Sequence, residues 1–196
     1  MSSTDADTYP GSGPADETPP GAKRSRPLKT TLEWVAIVAA ALVAALLVKT
    51  FLFQPFYIPS ESMTPTLQIN DRVLVNKLSK DPHRGDILVF ERPPGEAEGP
   101  LNKDLIKRVV GEPGDTVEGK DGKVWVNGKE LAEPYLPAGT VTSTFGPVQI
   151  GQNQVWMMGD NRGNSKDSRS FGPIAKASIV GKAFVLFWPV GDFKRL

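Results

Sequence analysis

Cysteine is absent from the chain, which excludes disulfides and every thiolate metal centre. Histidine is almost absent too. His83 alone cannot hold a zinc ion, and it is the only imidazole available as a base. A hydrolytic serine in this chain must use His83 or another base, and lysine is the usual substitute. No metal or cofactor is expected. An excess of one charge is also missing: 23 Lys and Arg stand against 22 Asp and Glu. That balance gives no electrostatic reason to expect nucleic acid as a partner. There is no internal repeat, and after residue 53 no long amphipathic helical pattern.

What is present is unevenly distributed. Residues 1–30 are rich in Ser, Thr, Asp, Pro and Gly and poor in large apolar groups, so they read as a disordered tail. The tail ends in a basic cluster of Lys23, Arg24, Arg26 and Lys29. Then comes "WVAIVAAALVAALLV", Trp34 to Val48, without a charge. Crossing a bilayer takes roughly 20 residues, and extending the run to Phe53 reaches that length. A transmembrane helix is therefore expected over 31–53. Lys49 can snorkel to the headgroups, and Trp34, Phe51, Phe53, Phe56 and Tyr57 have the character of interfacial aromatics. A cleaved leader needs a small-x-small site, which the following "KTFLFQPFY" does not offer, so the helix reads as an uncleaved anchor. The positive-inside rule places the N-terminus in the cytoplasm and everything after residue 53 outside the cell membrane.

The rest of the chain is dense in Gly, Pro and short apolar alternations. "RVLVNKL", "DILVF", "DLIKRVV", "KVWVNGKEL", "QVWMMGD" and "GKAFVLFWP" each read as strands. Asp121-Gly122 and Asn127-Gly128 supply hairpin turns around "KVWV". Arg92 to Lys103 reads as a long surface loop. The expected fold class is mostly β, a single N-terminal transmembrane helix followed by an extracytoplasmic barrel or folded sheet.

Four segments carry candidate chemistry. In "PSESMTPTL", Ser60 and Ser62 sit in a proline-restricted turn, which is either a linker or the seat of a nucleophile. In "RGDILVF", Arg84-Gly85-Asp86 before a strand reads as a turn, with adhesion as the competing reading. In "DLIKRVVGEPGD", strand alternation puts Leu105, Lys107 and Val109 on one face and Arg108 on the other. Lysines are mostly exposed, so a lysine between two apolar neighbours is either a snorkelling edge residue or a desolvated amine. Burial disfavours the ammonium, and a neutral amine near pH 7 can act as a general base. In "GDNRGNSKDSRSFG", Asp160, Arg162, Asp167 and Arg169 can brace one short loop and hold Ser165 in place.

In order along the chain, "PSESMTPTL", "RGDILVF", "IKRVVGEPGD" and "GDNRGNSKDSR" resemble the sequence boxes of the type I signal peptidases, membrane-anchored serine proteases that use a Ser-Lys dyad. The resemblance covers about residues 32 to 188. It implies Ser62 as nucleophile, Lys107 as general base, and an oxyanion hole from the Ser60 hydroxyl and the Ser62 amide. It further implies that Ser165 hydrogen-bonds to the Lys107 amine, that Asp160, Asp167 and Arg169 support the site, and that Phe56, Ile58, Met63 and Ile106 line the substrate pockets. The implied fold is a catalytic domain of coiled antiparallel β-sheets over 54–114 and 154–196, with a smaller β insertion over 115–153. The implied partners are the signal peptides of secretory preproteins, cut after small residues in an Ala-x-Ala pattern, and the lipid bilayer. Gly163 departs from the aspartate many members carry there, and Lys166 is a second amine near Ser165. Lys107 remains the preferred base, because a lysine in an Asp/Arg loop keeps its proton. A non-catalytic, membrane-tethered β module for adhesion or assembly is the alternative.

Overall fold

Ala is the commonest residue of the first apolar run, and Gly and Pro are missing from its interior, which favours a helix. In the computed structural model, which describes residues 27–95 and 103–196, this helix, α1, runs Pro27–Phe51. It therefore begins before the expected residue 31, with proline at its first position, where a missing N–H costs nothing. Its stretch Thr30–Val48 has a mean hydropathy of 2.3, none of it buried, and is long and apolar enough to cross a membrane. Residues 1–26 of the expected tail, with Lys23, Arg24 and Arg26, lie outside the described residues, whereas 27–30 belong to the helix; the side chains of Lys29, Lys49 and Phe51 are likewise outside them.

The chain divides at residue 42 into two compact units, and the second holds all the strands. Strands β1 (Phe53–Tyr57), β2 (Arg72–Asn76), β3 (Ile87–Glu91) and β4 (Asp104–Gly111) come first. β5 (Thr116–Lys120), β6 (Lys123–Val126), β7 (Lys129–Glu130) and β8 (Phe145–Gln149) follow. β9 (Gln154–Met158), β10 (Ile174–Ala175), β11 (Ile179–Trp188) and β12 (Lys194–Arg195) complete the set, with a short helix α2 (Ser168–Phe171) before β10. One antiparallel sheet has the order β1-β2-β11-β3-β4-β9-β10, with β12 on β11. A second, of order β7-β6-β5-β8, is built wholly from residues 116–149.

The mostly β reading and all six expected strands are found. Both hairpin turns are found as well: Asp121 and Asn127 have φ of 54° and 51°, each followed by a positive-φ glycine. Phe53, Phe56 and Tyr57, read from the sequence as interfacial aromatics, form β1 and pair residue by residue with β2. After Lys49 and Thr50 the apolar residues Phe51, Leu52 and Phe53 run from the helix end into this strand, so hydropathy alone does not mark where the helix stops. Phe56 packs on the core, and Phe53 stacks at a tilt on Phe184.

Three apolar clusters hold the domain together. β3 lies in mid-sheet and is buried on both faces, so alternation splits it between two of them. Ile87 and Val89 join Ile58, Met63 and Leu67, whereas Leu88 and Phe90 join Val109 and Met157. Each such side chain stabilises the fold by about 1.5–3 kcal/mol. The third cluster takes Val110, Trp156 and Met158 from β4 and β9 together with Val117, Val124 and Val126, so the second sheet is rooted on the strands that carry the candidate site.

Candidate active site

The segment after β1 turns back on itself before β2. Ile58 and the Asn70–Asp71 corner exchange backbone hydrogen bonds at 2.9 Å, which closes the loop at its base. Ile58, Met63 and Leu67 anchor it in the first cluster. Between these anchors Ser60 is extended and Glu61–Met63 form a single 3-10 turn, locked by Thr64, whose amide and hydroxyl both donate to the Glu61 carbonyl. Ser62 is thus held on a rigid turn with only 8% of its surface exposed. Its Oγ lies 3.4 Å from the Ser60 Oγ.

Lys107 comes from β4, where it pairs with Leu88 and shares a face with Leu105 and Val109. It is 3% exposed. Its Nζ lies 2.7 Å from Ser62 Oγ and donates to the Ile106 carbonyl at 2.9 Å. Among the described residues no carboxylate forms an ion pair with it. Burial pulls the amine down from 10.5 to about 8; the Asp167 charge opposes that pull, Arg92 adds to it, and Asp160 opposes it. Lys166, the other amine considered, is exposed.

The loop after β9 braces this pair from behind. Gly159 packs so closely on the nucleophile turn that a Cβ there would strike the Ser62 carbonyl oxygen and Ser165 Oγ. Only glycine allows that approach. The Asn161 amide donates to the Ser62 carbonyl at 3.1 Å, and its side chain donates to Glu61 O and Thr64 Oγ1. Asp160 is gripped at both oxygens by Arg108, at 2.9 and 2.6 Å, and also accepts from Thr66. Arg108 further donates to the Gly85 carbonyl and stacks 3.9 Å from the Tyr135 ring centroid. Asp167 caps α2 and accepts from Arg169 and from the Gly159 amide. Burial alone would raise its carboxyl, but the Arg169 and Gly159 hydrogen bonds and the Arg169 charge hold it below the usual range. Arg162 donates to Glu133, Thr142 and the Gly159 carbonyl. Burial works against its charge, yet the bond to Glu133 raises its pKa further.

Most of the expected residues meet. Ser60, Ser62 and Lys107 come together, with Asp160, Asp167 and Arg169 in the wall behind. Ser165 differs in detail. Its Oγ is buried and makes no hydrogen bond, so the bond to Lys107 implied by the resemblance is not formed. The amine uses Ser62 and the Ile106 carbonyl instead. Phe56, Ile58, Met63 and Ile106 share one cluster, but Ile58 and Met63 are sealed and only Phe56 and Ile106 keep exposed surface. Asn161, Gly159 and the Tyr135–Glu133 pair were not anticipated; the "GDN" run within the final box was the one local signal for the first two.

His83 is an exposed loop residue. Arg84 bonds to Asp115 at 2.6 Å and Asp86 pairs with Lys182, so both charges of the Arg-Gly-Asp turn are engaged within the domain. The adhesion reading loses its best support.

Residues 31–188 match the family described as signal peptidase, peptidase S26. A probable signal peptidase I-2 of Synechocystis is 42% identical over 86% of this chain and 78% of that protein. A signal peptidase I of Leptolyngbya laminosa is 40% identical over 93% of this chain and 94% of its own length. Signal peptidase I S of Bacillus subtilis is 38% identical over 85% and 94%. A crystal structure of a signal peptidase I from Enterococcus faecalis, 30% identical, aligns with a TM-score of 0.44 over 53% of this chain and 97% of that one.

Proposed function

We propose how this chain, which belongs to the signal peptidase family, peptidase S26, and is a serine endopeptidase, cuts signal peptides from exported preproteins. Neutral Lys107 accepts the Ser62 proton, and Ser62 Oγ attacks the carbonyl after a small residue. The Ser60 hydroxyl and the Ser62 amide donate to the oxyanion; losing one such donor typically costs about 3 kcal/mol. The Lys107 ammonium then protonates the leaving amine. Lys107 next takes a proton from water, which attacks the acyl ester and frees Ser62. Asp160, Asp167 and Arg169 hold the wall, and Ser165 serves as a positioning residue by turning its hydroxyl to the amine once substrate is bound.

The observation that carries this reading is the 2.7 Å contact between Ser62 Oγ and an amine with almost no exposed surface. With its pKa near 8, about one Lys107 in ten is neutral at pH 7, against fewer than about one in a thousand for a free lysine. Phe56 and Ile106 keep exposed apolar surface while packing on the cluster of the sealed Ile58 and Met63, which supports the Ala-x-Ala preference. The uncharged Thr30–Val48 stretch supports a single span, and the basic flank supports a cytoplasmic N-terminus with the domain outside. Exposed Trp188, Val190 and Phe193 beside Lys194 and Arg195 give the domain further surface suited to an anionic bilayer face.

Detergent-solubilised protein should cleave a preprotein, and Ser62→Ala and Lys107→Ala should each abolish cleavage. Undiminished cleavage by either variant sinks the dyad.

A further inference from the structure

We infer that an open cleft beside the Ser62 turn receives the substrate segment that follows the cut bond, and that Gly163 keeps this cleft open. The inference rests on the Ser62–Lys107 reading above. The cleft measures about 500 Å³. Its lining combines Thr64 and Gln68, just after the nucleophile, with Asn161 and Gly163 after β9 and with Thr140 and Val141 of the loop before β8.

Continuity with the site is the first argument. Asn161 lines the cleft and also holds the Ser62 carbonyl through its amide and Thr64 through its side chain. Direction is the second. Of the residues proposed for the acyl side, Phe56 and Ile58 precede Ser62 and Ile106 precedes Lys107, while Met63, which follows Ser62, is sealed in the core. The cleft takes residues that follow Ser62 in the chain. A peptide lying with its acyl side at Phe56 and Ile106 crosses Ser62 toward Thr64. Three or four extended residues beyond the cut span about 10–13 Å.

Chemistry is the third argument. Asp160 and Arg162 also line the cleft, but their charges are engaged, by Arg108 and by Glu133. What remains toward solvent is hydroxyl, amide and apolar surface. Such a lining accepts an extended backbone and sets little charge requirement on side chains, as suits an enzyme whose leaving chains differ in sequence. Gly163 is exposed, a Cβ there meets nothing within 4 Å, and its φ lies outside the range that only glycine tolerates. A side chain at 163 therefore meets no steric or backbone obstacle in a loop that lines the cleft.

The test compares two substrates with one acyl segment. One is a peptide continuing ten residues past the cut, and the other a methyl ester with nothing beyond it. Gly163→Trp should lower kcat/KM for the peptide tenfold or more and change ester turnover less than twofold. Val141→Trp, from a different loop, should give the same split. Equal losses on the two substrates, or no loss on either, overturn the assignment. Ester turnover that survives Ser62→Ala removes the dyad reading, and this inference with it.

Discussion

Lys107 and Arg108 are neighbours on β4 and both are buried, at 3% and 7% exposure, yet their charges meet opposite surroundings. Arg108 has a two-toothed carboxylate in Asp160, a backbone carbonyl and an aromatic face. Lys107 has a hydroxyl and one carbonyl, and no described carboxylate pairs with it. A guanidinium cannot shed its proton in a protein, so burying it requires a counter-charge. An ammonium can shed its proton, and withholding the counter-charge is what makes it do so. Alternation alone, one residue apart on a strand, separates a structural cation from a reactive amine.

Exchanging the two chemistries breaks the comparison hardest. Lys107→Arg places a permanent cation where nothing neutralises it and removes the base. Preprotein cleavage should fall by about 10³-fold or more, the upper range for loss of a general base. Cleavage within tenfold of the parent would mean the amine is not the base.

Removing the partner on the other face tests the structural half. Asp160→Ala leaves Arg108 buried and unpaired, a change that costs about 3–5 kcal/mol in comparable sites. The unfolding midpoint in denaturant should drop accordingly, while Lys107→Ala produces no such loss. If Asp160→Ala unfolds like the parent, the pair is not holding the wall.

The parts of this arrangement differed in how readable they were. Lys107 stood out because period-two alternation set it between Leu105 and Val109, a local signal that needs no partner. Ser62 was legible only jointly with the other boxes, since a serine in a proline-rich turn is ordinary. Arg108 was placed on the opposite face, but its carboxylate lies 52 residues away and nothing in the local pattern announces that contact. Among the strands, β5 and β8 were missed because "TVEGK" and "FGPVQ" carry glycine and proline that interrupt alternation. Burial still fixes them, through Val117 and Val148 against the third cluster. The segment of Tyr135 and Glu133 has no periodicity at all, and its role appears only once Arg108 and Arg162 reach it.

Neutralising the amine itself sharpens the comparison at a smaller scale. The Lys107 value near 8 in the folded state lies below the 10.5 of an ordinary lysine, so the folded protein binds fewer protons between those limits. Stability therefore rises with pH from about 8 to 10.5, and below 8 the buried amine costs about 3 kcal/mol. Lys107→Met, inactive but similar in volume, should be more stable than the parent by about that amount at pH 7. The gain should vanish above pH 10.5. An equal gain at both pH values would assign it to packing rather than to charge.

Ser165 gives the smallest effect on folding and separates positioning from support. Its hydroxyl is buried without a hydrogen bond, so Ser165→Ala removes no ground-state bond and relieves an unsatisfied group. The unfolding midpoint should move by less than about 0.5 kcal/mol in either direction. A positioning role shows elsewhere. If the hydroxyl turns to the Lys107 amine once substrate is bound, kcat should fall about tenfold with KM nearly unchanged, and Ser165→Thr should restore part of it. The pH dependence of kcat/KM, a property of the free enzyme, should still bend near 8, because the free protein has no Ser165–Lys107 bond to lose. A fall in stability matching the fall in rate would make Ser165 a packing residue, and an unchanged kcat would leave the amine oriented by Ser62 and the Ile106 carbonyl alone.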